Sequence, residues 1–296
     1  MAEEKHFGPV WFIPGANKGR YPFCNSVYVE SAGVVIDPGS DRERLSALAA
    51  GPGVRAVWLS HWHEDHFMHL DLFDHLPFCI HEDETPPLTD PEIFMDWYGI
   101  DNPEFRDYWR QALRDTFHYK PRKPAQTFAG VETVDLGGLT VEVIHVPGHT
   151  PGHLAFFFKD PRVLFMSDYD LTPFGPWYGD RDSSIEDTIE SVERLRELPA
   201  RVWLTGHEGG VFEEFPAEQF DRYLAVVRER EEKLLDFLRE PRAMDEIVNQ
   251  WIVYRKPREP RAFFEYGEKA LMTKHLERLK RAKKVAELDG RYRQIL

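Results

Sequence analysis

Short apolar runs that end in turn residues recur along the first two thirds of the chain. Runs rich in β-branched and aromatic residues, bounded by Gly, Pro, Asp or Ser, predict strands. The predicted strands cover residues 26–30, 33–36, 54–59, 139–146, 154–158, 162–166 and 201–204. Between them, 42–50 and 183–198 predict helices, and the second begins with a sequence that resembles a capping box, Ser183-Ser184-Ile185-Glu186. Strands interspersed with helices indicate an α/β or mixed layered architecture.

The strand pattern stops between residues 85 and 123, where aromatic residues alternate with prolines and charges. We interpret 85–123 as a largely helical insertion. Its aromatic side chains either pack it onto the body of the protein or a second subunit, or make it a lid over a pocket. The density of aromatic residues makes a homodimer our expectation for the oligomeric state.

The pattern changes again after residue 218, where longer charged helices replace the short strands. Predicted helices over 220–238, 244–251 and 267–281 are followed by a hairpin of 285–288 and 292–296. This order of elements is the outline of a small winged-helix-like module. We therefore predict a catalytic domain at 1–218, which contains the insertion, and a winged-helix-like C-terminal domain at 219–296.

Composition is typical of a globular cytoplasmic protein. The 296 residues are 42% hydrophobic and 30% charged, a balance that can build a sizeable core. No apolar run approaches the ~18 residues of a membrane span. Residues 1–6 are acidic and polar, whereas a signal peptide would be basic and then apolar. Two isolated cysteines, Cys24 and Cys79, fit buried thiols in a reducing compartment. We expect a cytoplasmic protein with no membrane association.

Charge is distributed unevenly between the two predicted domains. The net charge is −14, which argues against a general polyanion binder because phosphate contacts require clustered Lys and Arg. Residues 219–296 nevertheless hold 19 Lys and Arg against 14 Asp and Glu, so the C-terminal segment is basic and the remainder is strongly acidic. This asymmetry suggests two units with different roles.

The densest group of metal-ligating residue types directly follows the predicted strand 54–59. The segment Ser60-His61-Trp62-His63-Glu64-Asp65-His66 places three histidines and an aspartate within six residues. Neutral imidazoles and carboxylates suit zinc and comparable divalent ions. Three other predicted strands run directly into turns that carry His149, Asp168 and His207. Because the carboxyl ends of strands in a layered sheet commonly converge on one crevice, we expect a single site.

These residues in this order resemble the metallo-β-lactamase superfamily, with a ligand set similar to that of its glyoxalase-II-like members. The resemblance covers roughly residues 8–215. It implies an α+β fold, a four-layer αββα sandwich. By position it implies that His61, His63 and His149 hold one metal ion, that Asp65, His66 and His207 hold a second, and that Asp168 bridges the two. Asp37, after the first hairpin, is a candidate to orient a ligand histidine.

Two divalent ions that share a carboxylate imply a bridging water or hydroxide as nucleophile, so the predicted reaction is hydrolysis. Asp65 and Asp168 are the predicted catalytic residues. Zinc is the expected metal, and iron and manganese suit the same ligands. Superfamily members that hydrolyse β-lactams and share the first motif lack an aspartate at the bridging position, so Asp168 argues against that activity.

The first hypothesis for the substrate is an ester, thioester or lactone of a small molecule. It depends on the acidic catalytic segment and on the aromatic residues expected beside the site. The candidate pocket residues are Tyr169, Phe174, Trp177 and Tyr178. The alternative for these aromatic residues is that they simply pack a long loop.

The second hypothesis is an RNA-cleaving nuclease or phosphodiesterase that uses the C-terminal domain as a nucleic-acid clamp. Its support is the basic stretch 274–281, which resembles the tail of superfamily members with a winged-helix-like domain. A weakly basic segment on a strongly acidic body is a poor electrostatic funnel for RNA. A purely structural metal site is disfavoured, because such sites fill four positions around one ion. We therefore predict the small-molecule hydrolase.

Overall fold

Two β-sheets pack face to face in the computed structural model, which describes residues 3–295. The first sheet follows chain order: β1 (Lys5–Phe7), β2 (Val10–Ile13), β3 (Ser26–Val29), β4 (Val34–Ile36), β5 (Ala56–Trp58), β6 (Phe78–His81) and β7 (Gln126–Phe128). The second contains β8 (Glu132–Asp135), β9 (Thr140–His145), β10 (Leu154–Phe158), β11 (Val163–Phe165), β12 (Val202–Leu204) and β13 (Val211–Phe212), and its spatial order runs from β13 back to β8. Strands β4 to β7 are parallel, as are β11 and β12, and the other neighbours are antiparallel.

The helices are distributed over both outer faces of the sandwich and the C-terminal region. They are α1 (Ala16–Gly19), α2 (Arg42–Ala50), α3 (Glu64–Phe67), α4 (Pro86–Thr89), α5 (Pro91–Trp97), α6 (Pro103–Asp115), α7 (Ile185–Arg196), α8 (Ala217–Phe237), α9 (Met244–Val248) and α10 (Arg261–Arg281). Short 3-10 turns occupy Leu70–Phe73 and Glu82–Glu84.

Alternation along the strands places the main core between the two sheets. On β3, Val27 and Val29 join the apolar cluster that contains Phe156 and Phe165 of the second sheet, whereas Tyr28 belongs to the cluster under the helices. This follows from the two-residue period of a strand, which sends successive side chains to opposite faces. The result is the four-layer αββα sandwich that the resemblance implied, and the predicted fold class is confirmed.

Most predicted elements match the observed ones to within two or three residues, and the exceptions have physical reasons. The helix predicted at 267–281 begins six residues earlier, at Arg261, directly after Pro260. Charged and proline residues at 255–261 hid this start, although proline is well tolerated immediately before a helix. The prediction also missed β1, β2, β6, β7, β8 and β13, which have only two to four residues each and little alternation.

The insertion at 85–123 contains α4, α5 and α6, each with a proline in its first turn. Phe94 and Trp109 of these helices are buried against the body of the protein. The Phe94 ring meets the Trp62 indole edge-on, with ring centroids 4.9 Å apart. The insertion therefore packs onto the body directly beside the histidine-rich segment.

The C-terminal region consists of α8, α9 and α10 with a three-stranded sheet of β14 (Arg242–Ala243), β15 (Val285–Leu288) and β16 (Arg291–Gln294). The predicted terminal hairpin corresponds to β15 and β16, and its last residue, like residues 1 and 2 of the predicted first domain, lies outside the described residues. The winged-helix assignment and the domain boundaries stay predictions. The Tyr266 hydroxyl donates to the Tyr98 carbonyl at 2.5 Å, which ties α10 to the insertion. Within residues 3–295, no helix combines the length and the hydropathy needed to cross a membrane.

Candidate metal centre and substrate cavity

The predicted ligand residues lie in four loops that converge at one edge of the sandwich. His61 and His63 follow β5, and His149, Asp168 and His207 follow β9, β11 and β12. Asp65 and His66 lie in α3, the single helical turn that begins after His63. The turn before His207 requires glycine at 206, where a Cβ atom would lie 2.8 Å from Asp168 Oδ1. All seven side chains come together as the sequence predicted.

The seven side chains divide into two groups that share Asp168. In the first group, His149 Nε2 lies 3.2 Å from His61 Nε2 and 3.0 Å from His63 Nδ1. Asp168 Oδ2 faces this group, 3.3 Å from His149 Nε2. The four ligand atoms all lie within 4.8 Å of one another.

The second group consists of Asp65, His66 and His207. Its three ligand atoms also lie within 4.8 Å of one another. Asp168 Oδ1 faces it, 2.8 Å from His66 Nε2 and 3.4 Å from His207 Nε2. One carboxylate therefore presents a different oxygen to each group, which is the geometry of a bridging ligand.

The donor atoms at the centre fit divalent metal ions. His66 Nε2 and Asp168 Oδ1 are buried and lie 2.8 Å apart, yet they form no hydrogen bond with each other or with any other described residue. Buried polar atoms without partners are costly, so a pair that converges on one point indicates an unmet ligand. Burial opposes ionisation of Asp168, but the surrounding histidines hold its pKa well below the usual range. An ionised carboxylate among imidazoles is the donor set that zinc prefers.

A different group of ligand-type side chains, His69, Asp71 and His118, also lies within 4.8 Å. Here Arg42 donates to both oxygens of Asp71, at 2.9 and 2.6 Å. The same guanidinium lies 3.2 Å from His69 Nδ1. A fixed positive charge at this position repels a metal ion, so we assign this group to the structure of the fold.

The histidine nitrogens that face away from the centre are held by acceptors. Asp180 Oδ2 lies 2.7 Å from His63 Nε2, and Asp37 Oδ2 lies 3.0 Å from His66 Nδ1. The carbonyl of Trp177 lies 3.1 Å from His149 Nδ1. Such partners set the tautomer of each ring and keep the opposite nitrogen free for a metal. Asp37 occupies the orienting position that the sequence suggested.

Asp180 was not recognised in the sequence. It is 2% exposed, and its second oxygen accepts from Trp177 Nε1 at 3.0 Å. Asp180 follows the aromatic loop at 172–178 and has no motif around it. Only the contact with His63, 117 positions earlier in the chain, reveals its role.

Glu84 was also missed, and it ties together two of the loops that carry histidines. Its buried carboxylate accepts the backbone N–H of Trp62 at 3.0 Å and of Gly152 at 2.5 Å. Burial raises the pKa of Glu84 to about 7, although the two N–H donors oppose the shift. The carboxylate therefore fixes the separation between the His61–His63 and His149–His153 segments.

A cavity of about 770 Å³ opens from the metal centre toward the insertion and the C-terminal helices. This volume lies in the range of pockets for small molecules. Of the predicted pocket residues, Phe174 and Trp177 line it. Tyr169 and Tyr178 are 1% and 0% exposed and lie behind the wall, where Tyr169 donates to the Pro147 carbonyl at 2.8 Å.

The insertion contributes to the same cavity through Tyr98. Its hydroxyl and that of Tyr21, which also lines the cavity, donate to the buried Glu64 at 2.6 and 2.7 Å. Burial raises the pKa of Glu64 to about 6, with the neighbouring Asp65 acting in the same direction. The insertion therefore packs onto the body and also forms one wall of the cavity.

Comparison with known proteins gives a family match over most of the sandwich. Residues 20–207 match the model of the metallo-beta-lactamase superfamily. A probable polyketide biosynthesis zinc-dependent hydrolase of Bacillus velezensis is 29% identical over 202 residues, covering 62% of this chain and 76% of that protein. A human acyl-coenzyme A thioesterase is 28% identical over 203 residues, covering 66% of this chain and 67% of that protein.

Solved structures extend the likeness to nearly the whole chain. A metallo-beta-lactamase family protein from Thermus thermophilus superimposes with a TM-score of 0.71. The match covers 97% of this chain and 99% of that chain at 21% sequence identity. At this identity the likeness establishes the fold, including the presence of the C-terminal helices, and not the substrate.

Proposed function

The chain belongs to the metallo-beta-lactamase superfamily. On this basis we propose that it is a dinuclear metal-dependent hydrolase that cleaves an ester-type bond of a small molecule. Among such bonds we propose a thioester in preference to a lactone or a simple ester. The observation that carries the proposal is the placement of Asp168. Its Oδ2 lies 3.3 Å from His149 Nε2, and its Oδ1 lies 2.8 Å from His66 Nε2. The two oxygens thus face two different groups of nitrogen ligands, as a carboxylate shared by two ions would.

In this proposal His61, His63 and His149 hold one ion, Asp65, His66 and His207 hold the other, and Asp168 holds both. Two bound divalent ions, zinc in the first instance, would supply Lewis acidity and would acidify water at the centre. The chain itself fixes the ligand geometry through Asp180, Asp37 and Glu84. Rigid support of this kind matters because small errors in ligand position cost large factors in rate.

The cavity walls support a small organic substrate. Trp177, Phe174 and Tyr98 offer apolar and aromatic surface next to the metal ligands. Such a wall binds the apolar part of an acyl group and excludes bulk water from the reacting carbonyl. The names of the relatives described above, a hydrolase and a thioesterase, favour a thioester, and the nuclease alternative is less well supported.

The test uses protein loaded with zinc, iron or manganese against two panels of substrates. One panel contains acyl thioesters, lactones and simple esters, and the other contains single-stranded RNA and a phosphodiester reporter. Wild type is compared with Asp168→Asn and with Asp160→Asn, an exposed aspartate in the turn after β10.

We expect turnover in the first panel that requires metal, is lost by at least about a hundredfold in Asp168→Asn and is unchanged in Asp160→Asn. Full activity of Asp168→Asn would contradict the bridging role. Turnover of RNA alone would overturn the small-molecule hydrolase.

A further inference from the structure

The cavity at the metal centre extends onto the C-terminal region, where its outer wall is basic. Helix α8 contributes Lys233, and the loop between α9 and α10 contributes Arg255 and Arg258. All three side chains are exposed. We call these three residues the basic rim. It lines the same cavity as His63, His149 and Asp168, and it lies in the basic segment of a chain with a net charge of −14.

The charges of the basic rim are available for a ligand. Among residues 3–295, neither Lys233, Arg255 nor Arg258 has a carboxylate oxygen within 4.0 Å. Glu229 on the same wall is hydrogen-bonded by both terminal nitrogens of Arg222 on the same helix. Arg222 lowers the pKa of Glu229 most, and the charges of Lys233 and Arg255 add to this effect, so Glu229 offsets part of the rim's charge without forming a salt bridge with it. Cations that line a cavity and form no salt bridge concentrate anions there.

The loop that carries the two arginines is firmly held. Glu268 of α10 is fully buried and accepts the backbone N–H of Val253 at 2.9 Å and of Tyr254 at 3.2 Å. The backbone N–H of Arg255 donates to the Trp251 carbonyl at 2.8 Å. A buried carboxylate that accepts backbone N–H groups restrains the start of the loop, so the backbone at Arg255 is held in place beside the cavity.

Arg258 is positioned by aromatic rings of the same wall. Its guanidinium carbon lies 5.9 Å from the centre of the Tyr254 ring and 5.7 Å from that of Phe264. These distances are within the range of cation–π attraction. The guanidinium is therefore kept at the mouth of the cavity and retains its hydrogen-bond donors for a ligand.

A smaller cavity of about 440 Å³ lies on the other side of the rim. Lys233, Arg255 and Ile252 line both cavities, and the second is completed by Asp236, Phe237, Gln250 and Trp251. The Asp236 carboxylate is paired with Arg239, at 2.8 Å. A ligand that leaves the active-site cavity over the rim thus meets two cations and then a concave surface with an aromatic floor. This arrangement suits a long ligand with its anionic part in the middle.

We propose that the basic rim binds the phosphate groups of an acyl thioester whose thiol component is phosphorylated, with the acyl carbonyl at the metal centre. The inference rests on the proposed hydrolase function and names its substrate class. Three cations around one mouth match the several charged oxygens of a phosphorylated arm better than the single charge of a carboxylate. In the reaction, water adds its oxygen to the acyl carbon, the C–S bond breaks, the thiol leaves with a proton, and the carboxylic acid formed releases one proton to solvent.

Nucleic acid is the competing source of phosphate, and the geometry disfavours it. The rim has three cations, whereas tight binding of nucleic acid depends on a longer series of phosphate contacts. The three cations line a cavity rather than an extended groove of the kind that a nucleic-acid strand would follow. The rest of the protein is also strongly acidic, which repels nucleic acid. RNA is therefore included in the test as an outcome that overturns the proposal.

The experiment compares two thioesters that share one acyl group on the metal-loaded full chain. Octanoyl-coenzyme A carries phosphates and an adenosine, and S-octanoyl-pantetheine has the same thioester without either, so the charge variants identify the contribution of the phosphates. Wild type is compared with the double variant Lys233→Gln/Arg255→Gln and with Lys256→Gln. Lys256 is an exposed cation of the same loop that lines neither cavity.

We expect the double variant to raise KM for octanoyl-coenzyme A about tenfold and to leave kcat within about twofold, as loss of charged ground-state contacts should. Hydrolysis of S-octanoyl-pantetheine by the double variant should match wild type, and Lys256→Gln should match wild type on both substrates. Equal effects of the double variant on both thioesters, or no effect on either, would overturn the phosphate assignment. Cleavage of single-stranded RNA that the double variant weakens would also overturn it.

Failure of the hydrolase proposal is distinguishable from failure of this inference. If wild type hydrolyses neither thioester, the proposed function is wrong. Calorimetric titration with coenzyme A and with pantetheine then tests separately whether the basic rim binds phosphate. Binding of coenzyme A that exceeds that of pantetheine, and that the double variant weakens about tenfold, supports the rim as a phosphate site. Equal binding of the two compounds, or no binding, overturns it.

Discussion

Replacing Asp180 by Asn tests whether metal binding depends on the carboxylate that contacts His63 from behind, a residue that no local sequence motif identifies. The carboxylate of Asp180 accepts from Trp177 Nε1 at 3.0 Å and lies 2.7 Å from His63 Nε2. In Asp180→Asn the amide oxygen can keep the Trp177 bond, but the amide NH₂ then faces His63. Two donors cannot share that contact, so the His63 ring is driven to the tautomer with the proton on Nδ1, the nitrogen that faces the centre.

The magnitude follows from the contact that is lost. The carboxylate is 2% exposed, so little solvent replaces it. A buried hydrogen bond to a charged group contributes about 1.5–3 kcal/mol, which corresponds to a factor of about 10–100 in an equilibrium constant. Loss of a partner behind a ligand histidine generally weakens metal binding by a similar factor. We therefore expect the first metal position to weaken about 10–100-fold, while the position built from Asp65, His66 and His207 retains its affinity.

The assay is titration of zinc into the metal-free protein in competition with a chromogenic chelator, which resolves two binding steps. Asp182→Asn is the matched control, because Asp182 is exposed and, among residues 3–295, forms a salt bridge only with the adjacent Arg181, at 3.3 Å. Thermal unfolding of the metal-free proteins separates loss of metal from loss of fold. Metal affinity of Asp180→Asn within about twofold of wild type at both steps would refute the reasoning.

Three further predictions concern the supports of the centre. Burial raises the pKa of Glu84 to about 7 from the usual 4.5, so between these pH values the folded protein keeps a proton that the unfolded chain loses. The contribution of Glu84 to the free energy of unfolding therefore falls as pH rises through that interval. In urea unfolding at pH 5 and pH 7.5, Glu84→Gln should remove this part of the pH dependence, and the exposed control Glu82→Gln should keep it. Gly206→Ala should lower the free energy of unfolding by about 1–3 kcal/mol and weaken metal binding, because its Cβ would lie 2.8 Å from Asp168 Oδ1. The control Gly209→Ala has open space around its Cβ and should change neither the free energy of unfolding nor the metal affinity. Chelation should lower the melting temperature reversibly, since a metal present at a hundred times its Kd stabilises the fold by roughly 2.7 kcal/mol; an unchanged melting temperature after complete chelation would show that no metal supports the fold.

The candidate ligand residues could be found in the sequence because their signals are local. His61, His149, Asp168 and His207 each follow a recognisable apolar strand within a few residues, and strand ends in a layered sheet meet at one edge. His61, His149 and Asp168 could therefore be placed together without any knowledge of distances. The strands and helices indicated a layered architecture, and the resemblance to the metallo-β-lactamase superfamily implied its αββα order. Strands of two to four residues, such as β13, carry too little alternation to be recognised.

The tertiary structure alone decided how the centre is supported and what encloses it. Asp180 and Glu84 act on ligand segments that are distant in the sequence, and a contact across 117 positions leaves no periodic trace in the chain. The aromatic loop shows the same limit, since Phe174 and Trp177 line the cavity while Tyr178 lies behind it. Side chains of an irregular loop follow neither the two-residue period of a strand nor the 3.6-residue period of a helix, so their directions depend on the packing of the whole fold.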